Sequence, residues 1–262
     1  MPSANALRRQ IEATLAGRIP APLSPSPRIA NATASTGIAA VDALTGGFPV
    51  GAISELTGPN SSGRTSVALA FLAQRTQEGQ VCGWVDASDA LDPESAAANG
   101  VRLGNLLWVR CKRASQPTQS SQPWAGMDEA LRAVDLLLQA GGFRAIVLDL
   151  GDVAPKHSTR IPLATWFRFR QMSQEASASL VVLTQSACVH SSAGLVLRML
   201  PMGVQSDRSR VMHSMSFACK VERQRFAPVQ EIGSRRKPVA STWSSTMPWT
   251  HMPSTHTGTG GA

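Results

Sequence analysis

Tyrosine is absent from the 262 residues, and aromatic side chains make up only 5% of them. So sparse a set excludes a stacking platform of the kind that holds single strands by base–ring contacts. Four cysteines, Cys82, Cys111, Cys188 and Cys219, lie far apart with no Cys-x-x-Cys pair. Neither a zinc site nor a disulfide framework is expected, and a reducing, cytoplasmic setting fits. No apolar run is long enough to span a bilayer, and the first residues lack the continuous apolar stretch of a secretory leader. Internal repeats are absent as well.

Charge is also scarce, at 16% of residues, yet the formal net charge is +8. Residues 36–200 hold 13 basic and 13 acidic groups, so the excess lies at the ends. Residues 1–35 carry four arginines against Glu12, and residues 201–262 carry eight basic groups against three acidic ones. Basic tails attract nucleic acid without sequence preference, through counterion release. Tails that only solubilise the chain account for the same distribution equally well.

A hydrophobic content of 43% is enough for a sizeable core. Residues 7–17, "LRRQIEATLAG", read as a short amphipathic helix, and "PAPLSPSPRIANATAS" as a linker, since proline disfavours both helix and sheet. "TGIAAVDALTGGFPVG" holds a helix closed by Gly46 and Gly47. An alternation then begins. "AISELTG", "VCGWVDA", "LLWVR", "AIVLDL" and "SLVVLT" are strands, and helices are expected over 64–79, 93–100, 127–140 and 163–176. Near-continuous apolar strands separated by helices indicate a parallel sheet covered on both faces. The polar "ASQPTQSSQP" at 114–123 is a surface loop. The expected division is 1–35 as helix and linker, 36–233 as α/β core, and 234–262 as a disordered tail rich in Ser, Thr, Pro and Gly.

Between the first strand and its helix stands "GPNSSGRTS", residues 58–66. A strand, G-x-x-x-x-G-K-[ST] and a helix form a phosphate-binding loop, whose glycines let backbone amides wrap the phosphates at a helix N-terminus. Gly58, Ser61, Ser62, Gly63, Arg64, Thr65 and Ser66 are therefore candidate phosphate contacts, with Thr65 a ligand for Mg²⁺. Asp149, closing "AIVLDL", has the setting of a carboxylate that holds Mg²⁺ through water. Arg64 departs from the pattern. Its wide planar fork keeps the charge of lysine but not the thin stem that carries an ammonium along the loop.

"GPNSSGRTS", "WVDASDALDP", "AIVLDL" and "LVVLTQ" resemble, in the same order, the core of the bacterial RecA recombinases, over roughly residues 35–200. "TGIAAVDALTGGFPVGAISELTGP" resembles the segment entering that core. The SSGRTS variant and the small size resemble the ImuA group, RecA-related accessory proteins of mutagenic translesion synthesis. The resemblance implies an α/β, RecA-like P-loop core with a central, mainly parallel sheet flanked by helices. Its ligand would be ATP with Mg²⁺, here bound weakly or no longer bound. Asp92 matches the adenine-facing carboxylate and Gln185 the glutamine that senses the γ-phosphate. Ser88 stands where the family has the glutamate that activates water, so no catalytic base is expected. Ser95 stands where an aromatic stacks on adenine. "KVERQRFAP" resembles the late strand whose two cations reach a neighbour's nucleotide, which makes Arg223 and Arg225 their counterparts. The stretches matching the two DNA-binding loops, "HSTRIP" and "SACVHSSAG", are short.

The implied function is accessory: DNA repair in an SOS-type damage response, supporting error-prone translesion synthesis through contacts with a polymerase-like partner. RecA is a second implied partner, and the basic tails offer nonspecific DNA binding. The alternatives are a DNA-dependent ATPase or recombinase on single-stranded DNA, and a regulator that binds a RecA filament end or another cell-cycle protein through the same core surface. Trp84 is expected in the core. His157 and His190 read as surface histidines or proton carriers, and Trp124 and Trp166 as part-buried or as contacts to a partner or a base. Arg160, Arg168 and Arg170 read as a solvated helix face or a phosphate contact.

Overall fold

Five residues, Ile53–Thr57, form the strand β3, and all five are buried. In the computed structural model, which describes residues 32–111, 125–206, 212–225 and 240–246, this strand lies between two parallel partners. The expected helix at 7–17, nearly all of the proline-rich linker, the 114–123 loop, Trp124, and the basic Arg235, Arg236 and Lys237 fall outside the described residues. Upstream of β3, β1 (Thr33–Ala34) pairs with β2 (Phe48–Pro49) around helix α1 (Ala39–Thr45), which Gly46 closes in the left-handed region. After β3 come α2 (Arg64–Gln77), β4 (Cys82–Asp86), α3 (Pro93–Ala98), β5 (Leu106–Arg110), α4 (Ala125–Ala140) and β6 (Ala145–Asp149). The one-turn helix α5 (Pro155–Ser158), α6 (Leu163–Ala176), β7 (Ser179–Thr184), β8 (Ala193–Ser206), β9 (Met212–Gln224) and β10 (Ser241–Thr246) complete the order.

The large sheet runs β10-β9-β8-β3-β7-β6-β4-β5. Its pairings from β8 through β5 are parallel, and β9 and β10 extend it antiparallel. Register aligns the strand ends: Thr57 lies opposite Thr184, and Asp86 opposite Asp149. The loops that follow these carboxyl-terminal ends therefore meet along one rim, where open α/β sheets bind ligands.

Alternate residues of each central strand feed two cores. Leu56, Trp84, Val147 and Val181 meet Phe48, Phe71 and Leu72 on one face. Val85, Ile146, Leu148 and Leu180 meet Trp166 and Phe169 on the other. Edge-to-face ring pairs, Phe48–Phe71 at 5.0 Å and Trp166–Phe169 at 6.0 Å, lock the two layers. Trp166 is thus wholly internal, not partner-facing. All four cysteines are buried and free, and burial pushes their thiols upward, Cys111 to about 11, which leaves them inert small hydrophobes.

Two segments read as irregular carry strands. Residues 33 and 34, read as linker, pair in β1, and β10 lies inside the stretch read as a disordered tail. Trp243 supplies the reason for the second: it packs on Phe217 at 5.7 Å, an apolar anchor in an otherwise polar strand. Among the described residues, no helix is long and apolar enough to cross a membrane.

β3 also carries a buried carboxyl. Oε1 of Glu55 accepts the amides of Cys188 at 2.6 Å and Val189 at 3.2 Å and the Thr184 hydroxyl at 3.4 Å. Oε2 has no partner among the described residues. Hydrogen bonds to a charged group contribute about 1.5–3 kcal/mol each. They do not offset the loss of water, and burial holds the Glu55 carboxyl above the usual carboxylate range. The folded state then keeps its proton to higher pH than the unfolded chain does, so the Glu55 contribution to stability falls as pH rises through the folded value. The stability of Glu55→Gln relative to the parent should increase as pH is raised from about 5 to about 8, as read by denaturant midpoints across that range. A difference independent of pH would contradict this assignment.

Candidate nucleotide site

The loop between β3 and α2 is shaped by what crowds it. A Cβ at Gly58 would strike the Met199 carbonyl and lie 2.8 Å from the Ser62 hydroxyl. Gly63 has φ 87° and precedes the first turn of α2, and a Cβ there would lie 2.8 Å from the Phe217 ring. The two glycines of the motif are thus required by conformation and by the β8–β9 hairpin packed over the loop. α2 starts with neither a side-chain cap nor an acidic residue in its first turn. Its first amides and the positive end of its dipole are left for a ligand. Ser61 bends the loop at φ 58°, and the buried Ser62 hydroxyl has no partner among the described residues.

A cavity of about 270 Å³ opens beside the loop, lined by Arg64, Thr65, Trp84, Asp92, Asp149 and Asp152 among others. Thr65 is exposed toward it, and Ser66 is half-buried. Arg64 is only 7% exposed. Its Nη2 makes long contacts, 3.4 Å to Asn60 Oδ1 and 3.5 Å to the Gly151 carbonyl, and its buried Nη1 has no partner among the described residues. Burial lowers the guanidinium pKa, and the charges of Asp149 and Asp152 oppose that shift. Asp149 accepts the Gly151 amide at 2.8 Å. Burial pushes its carboxyl up to about 6, with Asp86 adding repulsion and Arg64 countering it.

The structure brings together Gly58, Ser61, Ser62, Gly63, Arg64, Thr65, Ser66 and Asp149, the residues singled out by the loop and the aspartate-ended strand. Asp92 also lines the cavity, but its carboxylate caps α3, accepting the amides of Glu94 and Ser95 and the Ser95 hydroxyl at 2.5 Å. Gln185 reaches the site indirectly, donating to the Gly151 carbonyl at 3.0 Å. Ser88 is half-buried, with its amide on Asp86 Oδ1, and it is not among the cavity-lining residues. Asp89 is held by Arg110 in a two-pronged pair at 2.6 and 2.7 Å. Arg223 donates to the His190 carbonyl, and Arg225 through its backbone to Gly194.

Three contributors escaped the sequence. Asp86 holds the turn after β4 through the amides of Ser88 and Leu91 and the Trp108 indole. Its place one strand from Asp149 was legible only as a second aspartate ending a strand. Gly151 was visible as the glycine after "AIVLDL". Phe217 gave no signal, being distant along the chain from the loop it covers.

The family model for the RecA N-terminal domain matches residues 9–160. The chain belongs to that family. Among curated relatives, Protein RecA of Sinorhizobium fredii is 40% identical over 119 residues, covering 45% of this chain and 29% of the relative. Protein RecA of Nostoc sp. is 42% identical over 118 residues, with the same two shares. Protein RecA of Colwellia psychrerythraea is 38% identical over 127 residues, 47% of this chain and 33% of the relative. The matched stretch spans about a third of the length of these RecA proteins.

Crowding at the loop predicts a contrast between two glycines. Gly58→Ala should lower stability by about 1–3 kcal/mol, because the methyl meets backbone that cannot yield. Gly203→Ala, with open space around it, should stay within about 0.5 kcal/mol of the parent in the same thermal melts.

Proposed function

We propose that this RecA-family chain is an accessory protein of DNA repair, of the ImuA type, that supports error-prone translesion synthesis through protein contacts. On this reading it retains a phosphate-binding loop with at most vestigial ATP hydrolysis. One observation carries it: Arg64 stands in the lysine position of the loop yet lies buried against Gly151. A guanidinium walled in this way does not travel with a transferring phosphoryl group. Ser88 offers no base in place of the glutamate that the resemblance requires, and a positioned base contributes about 10²–10⁴-fold to rate. Asp92 is engaged in capping α3, which weakens its claim on adenine.

A second reading, a DNA-dependent ATPase of the RecA type, is favoured by roughly 40% identity to RecA proteins over the matched stretch. Phosphate release separates the two. With ATP, Mg²⁺ and single-stranded DNA, turnover should lie about 10²–10⁴-fold below that of a RecA ATPase measured alongside. DNA-stimulated turnover of RecA magnitude that Asp149→Ala abolishes would establish the second reading instead.

Protein contact finds support in α6. Leu163 and Phe167, one turn apart on one face, are 60% and 54% exposed, and the Arg168–Asp135 pair at 2.9 Å joins that helix to α4, where Leu136 is also exposed. Leu163→Glu with Phe167→Glu should abolish co-purification with an error-prone polymerase partner while leaving the melting temperature unchanged. Undiminished capture would remove this face from the proposal.

A further inference from the structure

The carboxylate of Asp149 and the guanidinium of Arg64 converge on one point. A Cβ built on Gly151 would lie 2.9 Å from Asp149 Oδ1, 3.4 Å from Arg64 Nη2 and 3.5 Å from Arg64 Nη1. A side-chain cation therefore lies near the carboxylate that the motif assigns to Mg²⁺, without closing an ion pair with it. Two of the neighbouring acids are otherwise engaged, while the third, Asp152, is exposed at the cavity. Asp86 holds two amides and an indole, and Asp92 caps α3. Among the described residues, no three His, Cys, Asp or Glu side chains group as a metal site. Mg²⁺ in a nucleotide site is held by one or two carboxylates together with phosphate oxygens and waters, and the carboxylate that would serve here, Asp149, already has a guanidinium charge near it.

The same guanidinium is short of partners. Its fork has five N–H donors. Only Nη2 makes contacts, both long, and Nη1 is buried at the cavity wall with no partner among the described residues. The Trp84 indole N–H, also on that wall, and the Ser62 hydroxyl inside the loop are buried and unpartnered as well. Buried donors without acceptors are costly, and planar guanidinium favours the oxygens of a phosphate.

We propose that Arg64 takes the place of a divalent cation in this cavity, so that the site binds a polyphosphate ligand, the nucleoside triphosphate of the reading above, without Mg²⁺. The proposal rests on that reading of the loop as a nucleotide site. Gln185 and Arg64 donate to the same Gly151 carbonyl, so a phosphate received by Arg64 in place is linked to the end of β7 through Gln185.

The test is equilibrium binding of a fluorescent ATP analogue, mant-ATP, to the full chain, in excess EDTA and in excess MgCl₂. The expected dissociation constants agree within about threefold in the two conditions. In Arg64→Lys, the compact ammonium restores metal dependence, and affinity in EDTA falls by about tenfold or more relative to MgCl₂. A circular-dichroism melt of each protein confirms that both are folded. Parent binding that requires MgCl₂ overturns the inference and leaves the nucleotide reading standing, and this arm needs no variant. Absence of binding in both conditions overturns the nucleotide reading and the inference with it.

Discussion

β3 lies between two parallel partners, and all five of its residues are buried. That constraint organises the rest. A strand flanked on both sides has its backbone polar groups committed to β7 and β8, so its direction is set by two ladders. It delivers Gly58 to the rim at the level where β4, β6 and β7 end. The buried Glu55 within it reaches sideways to the amides of Cys188 and Val189, tying the turn after β7 to the strand that feeds the loop.

From this frame the site inherits its crowding. The β8–β9 hairpin presses on the loop at both glycines, through the Met199 carbonyl and the Phe217 ring. Phe217 is braced in turn by Trp243 of β10. The antiparallel extension thus makes the loop part of a packed layer. On the opposite wall, Gly151 leaves just enough room for the Arg64 fork beside Asp149. Lysine has no planar group to lay there, so arginine changes where the charge rests as well as its shape. The relatives named RecA share about 40% of residues with this chain over the matched stretch.

The alternation of strands and helices was legible in the sequence because a parallel strand buried on both faces is largely apolar, as "AIVLD" and "SLVVLT" are, although β3 itself carries the buried Ser54 and Glu55. The loop was equally legible, since phosphate wrapping needs glycines at fixed spacing and that need survives as a local string. Composition misled at the ends. A polar, Ser/Thr-rich stretch reads as disordered, yet one tryptophan in register with Phe217 is enough to hold β10 on the sheet edge.

By itself, the sequence determined the fold class, the five strands from β3 to β7 and their order, the place of the loop and the anomaly at position 64, all of which depend on local pattern and spacing. Only the tertiary structure decided where that arginine points, which carboxylate it faces, that Asp92 is occupied as a cap, and that Phe217 closes the loop from the far end of the chain. Those outcomes depend on the packing of strands distant in sequence. A side chain buried between them takes its direction from neighbours that no local string names.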